Sequence, residues 1–266
     1  MNKKLGFIGC GKMASAIIKG ILASEKRYEI KGSEVNPEIA ESAQKRLDIP
    51  VLTDNKMLAI DSDVIIIAVK PSYVSQVLEE IKNELTPEKL IVSIAAGVST
   101  EKIESIIGKS KIVRVMPNTP ALVLEGMSGV CKGKYANDDD LSFVIGMLSA
   151  IGKCIEVKEN QMDIVTAISG SGPAFFYKVI EDIARAGEKL GLDYDKALTL
   201  ATQTALGSAK MVFDRGNLSV QTLIDNVATK GGCTFVGITT MNEENSTKLF
   251  YDVIDKTTKK ANELGK

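Results

Sequence analysis

The sequence predicts an α/β chain in two parts: a doubly wound, mostly parallel sheet over residues 1–158, then helices alone over 159–266. Three observations predict it. Short β-branched runs alternate with amphipathic segments through the first half, the pattern of strands joined by helical crossovers. A glycine-rich turn, Gly9-Cys10-Gly11-Lys12-Met13-Ala14, falls between the first strand and the first helix. Beyond Val157 every periodic segment carries helical spacing.

Taken in order, Leu5 to Ile8 reads as a strand, Met13 to Ser24 as a helix and Glu29 to Ser33 as a second strand. Ala40 to Leu47 is helical, Val64 to Val69 is a fully apolar strand buried on both faces, Val74 to Asn83 is helical and Leu90 to Ile94 is a strand. Thr100 is expected to cap a helix running to Ile107. Strands follow at Lys111 to Val115 and around Ser128 to Cys131, then a helix near Asp140 to Ser149 and a strand at Cys154 to Val157. The helical half comprises Met162 to Ser169, Pro173 to Leu190, Asp195 to Arg215, Ser219 to Ala228, Thr234 to Glu244 and Thr247 to Leu264. The domain boundary is expected between Val157 and Asn160, with no low-complexity linker and no repeat.

Composition narrows the function. The 266 residues are 44% hydrophobic and 25% charged, enough for two cores. The 33 Lys and Arg nearly cancel the 34 Asp and Glu, so no field gathers nucleic acid or an anionic membrane. No apolar run approaches the roughly 18–20 residues of a membrane span, and the chain enters its first strand at Leu5 with no signal peptide ahead of it. A cytoplasmic protein is the expectation. Cys10, Cys131, Cys154 and Cys233 are scattered, without a CxxC pair, so neither a metal site nor a disulfide framework is expected. Histidine is absent altogether, which excludes Ser-His-Asp and Cys-His nucleophiles and any dehydrogenase needing an imidazole.

The glycine turn has the chemistry of a dinucleotide site. Its first glycine allows the tight turn, the second lets backbone approach a pyrophosphate, and Ala14 lets helix pack on strand; a purely structural turn is the alternative. Glu34 stands where an NAD enzyme places its ribose-binding acid, and neither Val35 nor Asn36 offers a cation for a 2′-phosphate. This favours NADH; a solvated residue one step past the strand end is the alternative. Ala68-Val69-Lys70-Pro71, Ile94-Ala95-Ala96-Gly97 and Met116-Pro117-Asn118-Thr119-Pro120 end later strands, where an open α/β sheet binds its ligand. Lys70 reads equally as a surface lysine.

In the helical half, Ser169-Gly170-Ser171-Gly172-Pro173 precedes a long helix, with Pro173 suited to its first position. The helix from Asp195 is apolar over a wide face, including Leu200, Leu206, Met211 and Phe213, more than one small layer can bury. A subunit interface is expected. Asp225 to Met241, DNVATKGGCTFVGITTM, reads as a helix, a tight turn at Gly231-Gly232 and a second helix start. Such a turn aims backbone N–H groups at an anion, and a small carboxylate is a natural guest. A sharp packing turn is the alternative.

Together these segments carry a resemblance. GFIGCGKMA, AVKP, SIAAGV, RVMPNTPA, SGSGPA and VATKGGCTFVGI occur in the order and spacing of the pyrroline-5-carboxylate reductase family, over essentially the whole chain. The resemblance implies reduction of the cyclic imine 1-pyrroline-5-carboxylate to L-proline with NADPH or NADH, the family more often favouring NADPH. It also implies an N-terminal Rossmann-type domain and a helical domain that interlocks with a second chain as a homodimer, often assembled further into a decamer. Carried over by motif, Ile8, Gly9, Cys10, Gly11, Lys12 and Met13 hold the pyrophosphate and Asn36 the adenosine ribose region. Asn55, Ala68, Val69, Lys70, Pro71, Ala95, Ala96 and Gly97 line the rest of the dinucleotide, with Asn226 close by. Backbone N–H groups around Gly231, Gly232, Cys233 and Thr234 meet the substrate carboxylate, and the Thr234 hydroxyl lies near the imine nitrogen as the residue nearest the chemistry. The chain departs from the pattern at Thr229-Lys230 and Cys233, where the family has Ser-Pro and Thr, and at Leu218-Ser219 in place of His-Pro. These departures leave open a related cyclic imino acid as substrate, or a regulatory relative.

Overall fold

The computed structural model describes residues 3–25 and 28–264. Among the described residues eight strands form one sheet: β1 (Lys4–Ile8), β2 (Glu29–Ser33), β3 (Val51–Leu52), β4 (Val64–Ile67), β5 (Leu90–Ser93), β6 (Lys111–Met116), β7 (Gly126–Lys132) and β8 (Gly152–Glu156). Their spatial order is β3-β2-β1-β4-β5-β6-β7-β8. The pairings are parallel except that of β6 with β7. The link from β6 to β7 is a single 3-10 turn at Thr119–Val123, too short for a crossover helix, so the chain turns back antiparallel.

Helices α1 (Lys12–Ala23), α2 (Pro37–Leu47), α3 (Asn55–Asp61), α4 (Pro71–Ile81), α5 (Thr100–Ile107) and α6 (Asp138–Leu148) cover both faces. Side chains of β4 alternate between the two resulting cores. Val64 and Ile66 join Phe7, Ile17 and Val144 of one cluster, while Ile65 and Ile67 join Leu58, Leu78 and Ile103 of the other. Hence α1, α2 and α6 lie on one face and α3, α4 and α5 on the other, which is the doubly wound arrangement.

Element types agree with the sequence reading and several ends move. Pro37 and Pro71 occupy first helical positions, so α2 and α4 start earlier than their apolar periodicity shows. The cap of α5 is Ser99, whose hydroxyl accepts the Lys102 N–H at 3.2 Å, and not Thr100, which is already helical. Two elements, β3 and α3, are absent from the sequence reading: a two-residue strand and a seven-residue helix are too short to show a period. The capping signal was present, since Asp54 accepts from the N–H groups of Lys56 and Met57.

The remaining helices are α7 (Met162–Val165), α8 (Gly172–Lys189), α9 (Tyr194–Phe213), α10 (Val220–Val227), α11 (Cys233–Glu243) and α12 (Ser246–Leu264). The helix expected from Met162 to Ser169 is instead α7 followed by a π turn over Thr166–Gly170. The chain divides into two compact units, one of Met1–Ser171 with Asp255–Lys266, the other of Gly172–Ile254. In the first, Asn262 near the end of α12 donates to Asp163 Oδ2 at 3.0 Å. In the second, α8 and α9 approach over small residues: Ala184, Ala197 and Ala201 are buried, and a methyl on Gly187 would lie 3.0 Å from the Ala197 Cβ. Much of that unit's remaining apolar surface is exposed. Phe176 is 67% exposed, Leu200 60%, Met211 62% and Phe213 67%. Among the described residues no helix is long and apolar enough to cross a membrane.

Candidate active site

The glycine turn is built as its sequence requires. Gly9 has φ +93°, and a Cβ there would sit 2.8 Å from the Ala68 carbonyl oxygen, so only glycine passes between β1 and the end of β4. Gly11 caps α1 without a side-chain bond, and a Cβ on it would meet nothing within 4 Å. No acidic residue stands in the first turn of α1, so its N-terminal N–H groups remain available to an anion. Lys12 opens the helix, exposed, and Met13 packs against the core. The carbonyl of Cys10 accepts Arg46 Nη2 at 2.7 Å and the Ser15 hydroxyl at 3.2 Å, which ties the turn to α2. Burial first, and then the Glu34 charge, push the Cys10 thiol up to about 11, so it is an inert core side chain.

This turn opens into a groove of about 560 Å³ at the carboxyl ends of β1, β2 and β4. Ile8, Gly9, Gly11, Glu34, Asn55, Ala68, Val69 and Lys70 line it, eight of the seventeen residues assigned to the dinucleotide from sequence; Cys10, Lys12, Met13, Asn36, Pro71, Ala95, Ala96, Gly97 and Asn226 are not among its lining. Sequence reasoning missed Ser33, Val35 and Ile39, and one stripe of α4, namely Tyr73, Gln76, Val77 and Glu80. The stripe's signal was the helical spacing of 73, 76, 77 and 80, of which only Tyr73 precedes the helix read from Val74.

Glu34 follows the last residue of β2 and is half-buried, and its Oε1 accepts the Cys10 N–H at 2.6 Å. Its carboxylate therefore faces the glycine turn and the groove together. Asn36 caps α2, its Oδ1 accepting from Glu38 and Ile39 at 2.9 and 3.2 Å, which leaves the amide nitrogen for a ligand. Asn55 is the first residue of α3 and is buried. Its Oδ1 accepts the Ser33 hydroxyl at 2.7 Å and its Nδ2 donates to Glu80 Oε2 at 2.9 Å. Lys70 caps α4 from an exposed position and Pro71 follows it.

Ala95, Ala96 and Gly97 form the bend after β5, with Ala95 and Gly97 buried and Gly97 at φ +76°. Asn118, after β6, accepts the Met127 N–H at 2.8 Å and donates to the Ser169 carbonyl at 3.2 Å. It thus clamps the MPNTP loop to the π turn that opens SGSGP. Nearby, Glu159 pairs with the buried Arg114 and accepts the Thr100 hydroxyl at 2.9 Å.

The turn expected to hold a carboxylate lies in the second unit. Gly231 has φ +81°, and the Gly232 N–H already donates to the Thr229 carbonyl at 2.9 Å. Gly232 caps α11 with no side-chain bond and no acid in the first turn. Cys233 and Thr234 therefore carry N–H groups without intrahelical acceptors at a positive helix end. Asn226 is exposed on α10 of the same unit.

A doubly wound sheet whose uncapped glycine turn opens into a groove at its strand ends defines a Rossmann-type dinucleotide-binding protein. Residues 159–264 match the model for pyrroline-5-carboxylate reductase dimerisation, and residues 4–97 that for NADP oxidoreductase coenzyme F420-dependent. The chain is similar to pyrroline-5-carboxylate reductase of Methanosarcina acetivorans, 41% identical over all of this chain and 99% of that one. It is also similar to the Arabidopsis thaliana enzyme, 34% identical over 98% and 95%. Among solved structures, that of a pyrroline-5-carboxylate reductase from Coxiella burnetii superposes with a TM-score of 0.93 at 33% identity, covering both chains fully. That of Plasmodium falciparum pyrroline carboxylate reductase with NADP bound superposes at 0.88 and 35%, over 100% and 99% of the two chains. The chain belongs to the pyrroline-5-carboxylate reductase family.

Proposed function

We propose that this protein reduces 1-pyrroline-5-carboxylate to L-proline with NADPH or NADH, the last step of proline biosynthesis. The observation that carries the reading is the pair of uncapped helix starts, α1 and α11, one suited to a pyrophosphate and the other to a small carboxylate. The likeness to reductases of that name along the full chain supports it. Ile8 to Met13 hold the pyrophosphate. Glu34 and Asn36 take the adenosine ribose, and Asn55, Ala68 to Pro71, Ala95 to Gly97 and Asn226 line the remainder.

Bound NAD(P)H supplies a hydride at the nicotinamide. The N–H groups of Cys233 and Thr234 hold the substrate carboxylate and fix the ring; Lys230 adds a favourable charge nearby. Thr234 hydrogen-bonds at the imine nitrogen. A protonated imine is already electrophilic, so orientation contributes most of the effect and no strong general acid is needed, which suits a chain without histidine.

Glu34 favours NADH, whereas the NADP in the Plasmodium relative pulls toward NADPH. The division at 158/159 separates the dinucleotide part from the substrate and dimerisation part, in line with the span of the dimerisation model. A homodimer, assembled further into a decamer, covers the exposed faces of α8, α9 and α11. Four free thiols accord with the cytoplasm. The test is label transfer: dinucleotide deuterated at the transferring C4 position delivers one deuterium to C5 of the L-proline formed. Unlabelled proline, or no proline, overturns the reading.

A further inference from the structure

We propose that Glu80 is a positioning residue for the dinucleotide, acting through the side-chain amide of Asn55; this rests on the reading of the groove as the dinucleotide site. The three groups Ser33, Asn55 and Glu80 form a chain along one wall. Ser33 and Asn55 are buried, and Glu80 is half-buried on the stripe of α4 that faces the groove.

The direction of this chain is set by chemistry. An ionised carboxylate only accepts, so the atom of Asn55 at 2.9 Å from Glu80 Oε2 is the amide nitrogen. The amide oxygen then faces Ser33 at 2.7 Å and takes the hydroxyl proton. Each end is thereby fixed. Ser33 turns its lone pairs away from Asn55, Glu80 keeps a second oxygen, and Asn55 retains one N–H. With Glu34 in the same wall, the groove here offers mostly acceptors, which suits a ligand presenting hydroxyl groups.

Remove the Glu80 carboxylate and both orientations of the amide become possible. In the reversed one the amide nitrogen faces Ser33 and the hydroxyl proton is released toward the groove, changing the pattern a ligand meets. A buried amide without its partner also loses order, and ligand binding must then restore it.

The experiment uses the full chain, with NADH binding followed by calorimetry in the absence of substrate and steady-state kinetics alongside. Glu80→Ala is expected to raise Kd and KM for NADH about tenfold while kcat and the imine KM stay at wild-type values. Glu80→Gln, whose amide can accept from Asn55 or donate to it and so leaves both orientations open, is expected to recover only part of the loss. The Glu80→Ala/Asn55→Ala double variant is expected to bind no worse than Asn55→Ala, as for two residues acting in series. Thermal unfolding verifies the fold of each variant, and Glu80→Met gives the same comparison if the alanine variant is unfolded. Unchanged NADH affinity in Glu80→Ala or Glu80→Met, or additive losses in the double variant, overturns the proposal. Binding is read without the imine, so absence of imine reduction would leave this result standing, and the reverse holds too.

Discussion

Glu34 has two partners to serve, the Cys10 N–H at 2.6 Å and whatever occupies the groove. A 2′-phosphate brought beside it would face a like charge, with no arginine or lysine at Val35 or Asn36 in compensation. At an effective dielectric near 20, like charges a few ångströms apart cost on the order of a few kcal/mol, enough for a tenfold preference. NADH should therefore be used at least as well as NADPH. Glu34→Ser should shift the ratio of kcat/KM values toward NADPH by about tenfold, and an unchanged ratio would remove Glu34 from cofactor choice. Thr234 makes a separate contribution in the second unit. Thr234→Ala should lower kcat/KM for the imine about ten- to a hundredfold, or roughly 1.4–2.7 kcal/mol, with NADH affinity intact, because the backbone N–H groups remain. Wild-type kinetics in that variant would refute the role. At this scale the glycine turn and the Gly231-Gly232 turn were legible because each requires glycine for a stated backbone reason. Ser33 and Glu80 were not, since a serine ending a strand and a glutamate on a helix are ordinary until the fold brings them to one wall.

Where elements meet, charge fastens β1, β2 and α3 together. Asp61 of α3 accepts Lys4 of β1 at 2.7 Å and Lys31 of β2 at 2.5 Å. The hydrogen bond from Lys31, then that from Lys4, holds the Asp61 carboxyl down at about 2, against an ordinary 3.8. A depressed folded-state value stabilises the fold above the unfolded value, and the contribution is lost as pH falls from about 4 toward about 2. Solvent reaches all three side chains, so the effect is modest and weakens with salt. Asp61→Asn should lower the urea midpoint at pH 7, with the gap from wild type closing between pH 4 and pH 2. A gap that persists at pH 2 would point to packing. Sequence periodicity recovered the long elements well, because α1, α8, α9 and α12 present several turns of repeat. It missed β3 and α3, and with them the helix that carries Asn55 and Asp61, since so few residues show no period.

Across the whole chain, the two units are unequally finished. The first buries two apolar layers against its sheet, whereas the second leaves Phe176, Met211 and Phe213 exposed. Monomeric proteins rarely leave so many large apolar side chains exposed in one unit. Equilibrium sedimentation should show a dimer or larger assembly at working concentrations, and a well-behaved active monomer would contradict the assignment of these faces to a partner. The wide apolar stripe of α9 was visible in sequence; which of its residues pack internally was not, because Ala197 and Ala201 are buried while Leu200 between them in the chain is exposed. The reductase reading itself is tested most directly by following dinucleotide oxidation with the purified protein, offering 1-pyrroline-5-carboxylate and its six-membered homologue separately with NADH and with NADPH. Oxidation is expected to depend on the five-membered imine and to match L-proline formed mole for mole. Oxidation only with the six-membered imine, or with neither, would contradict the account.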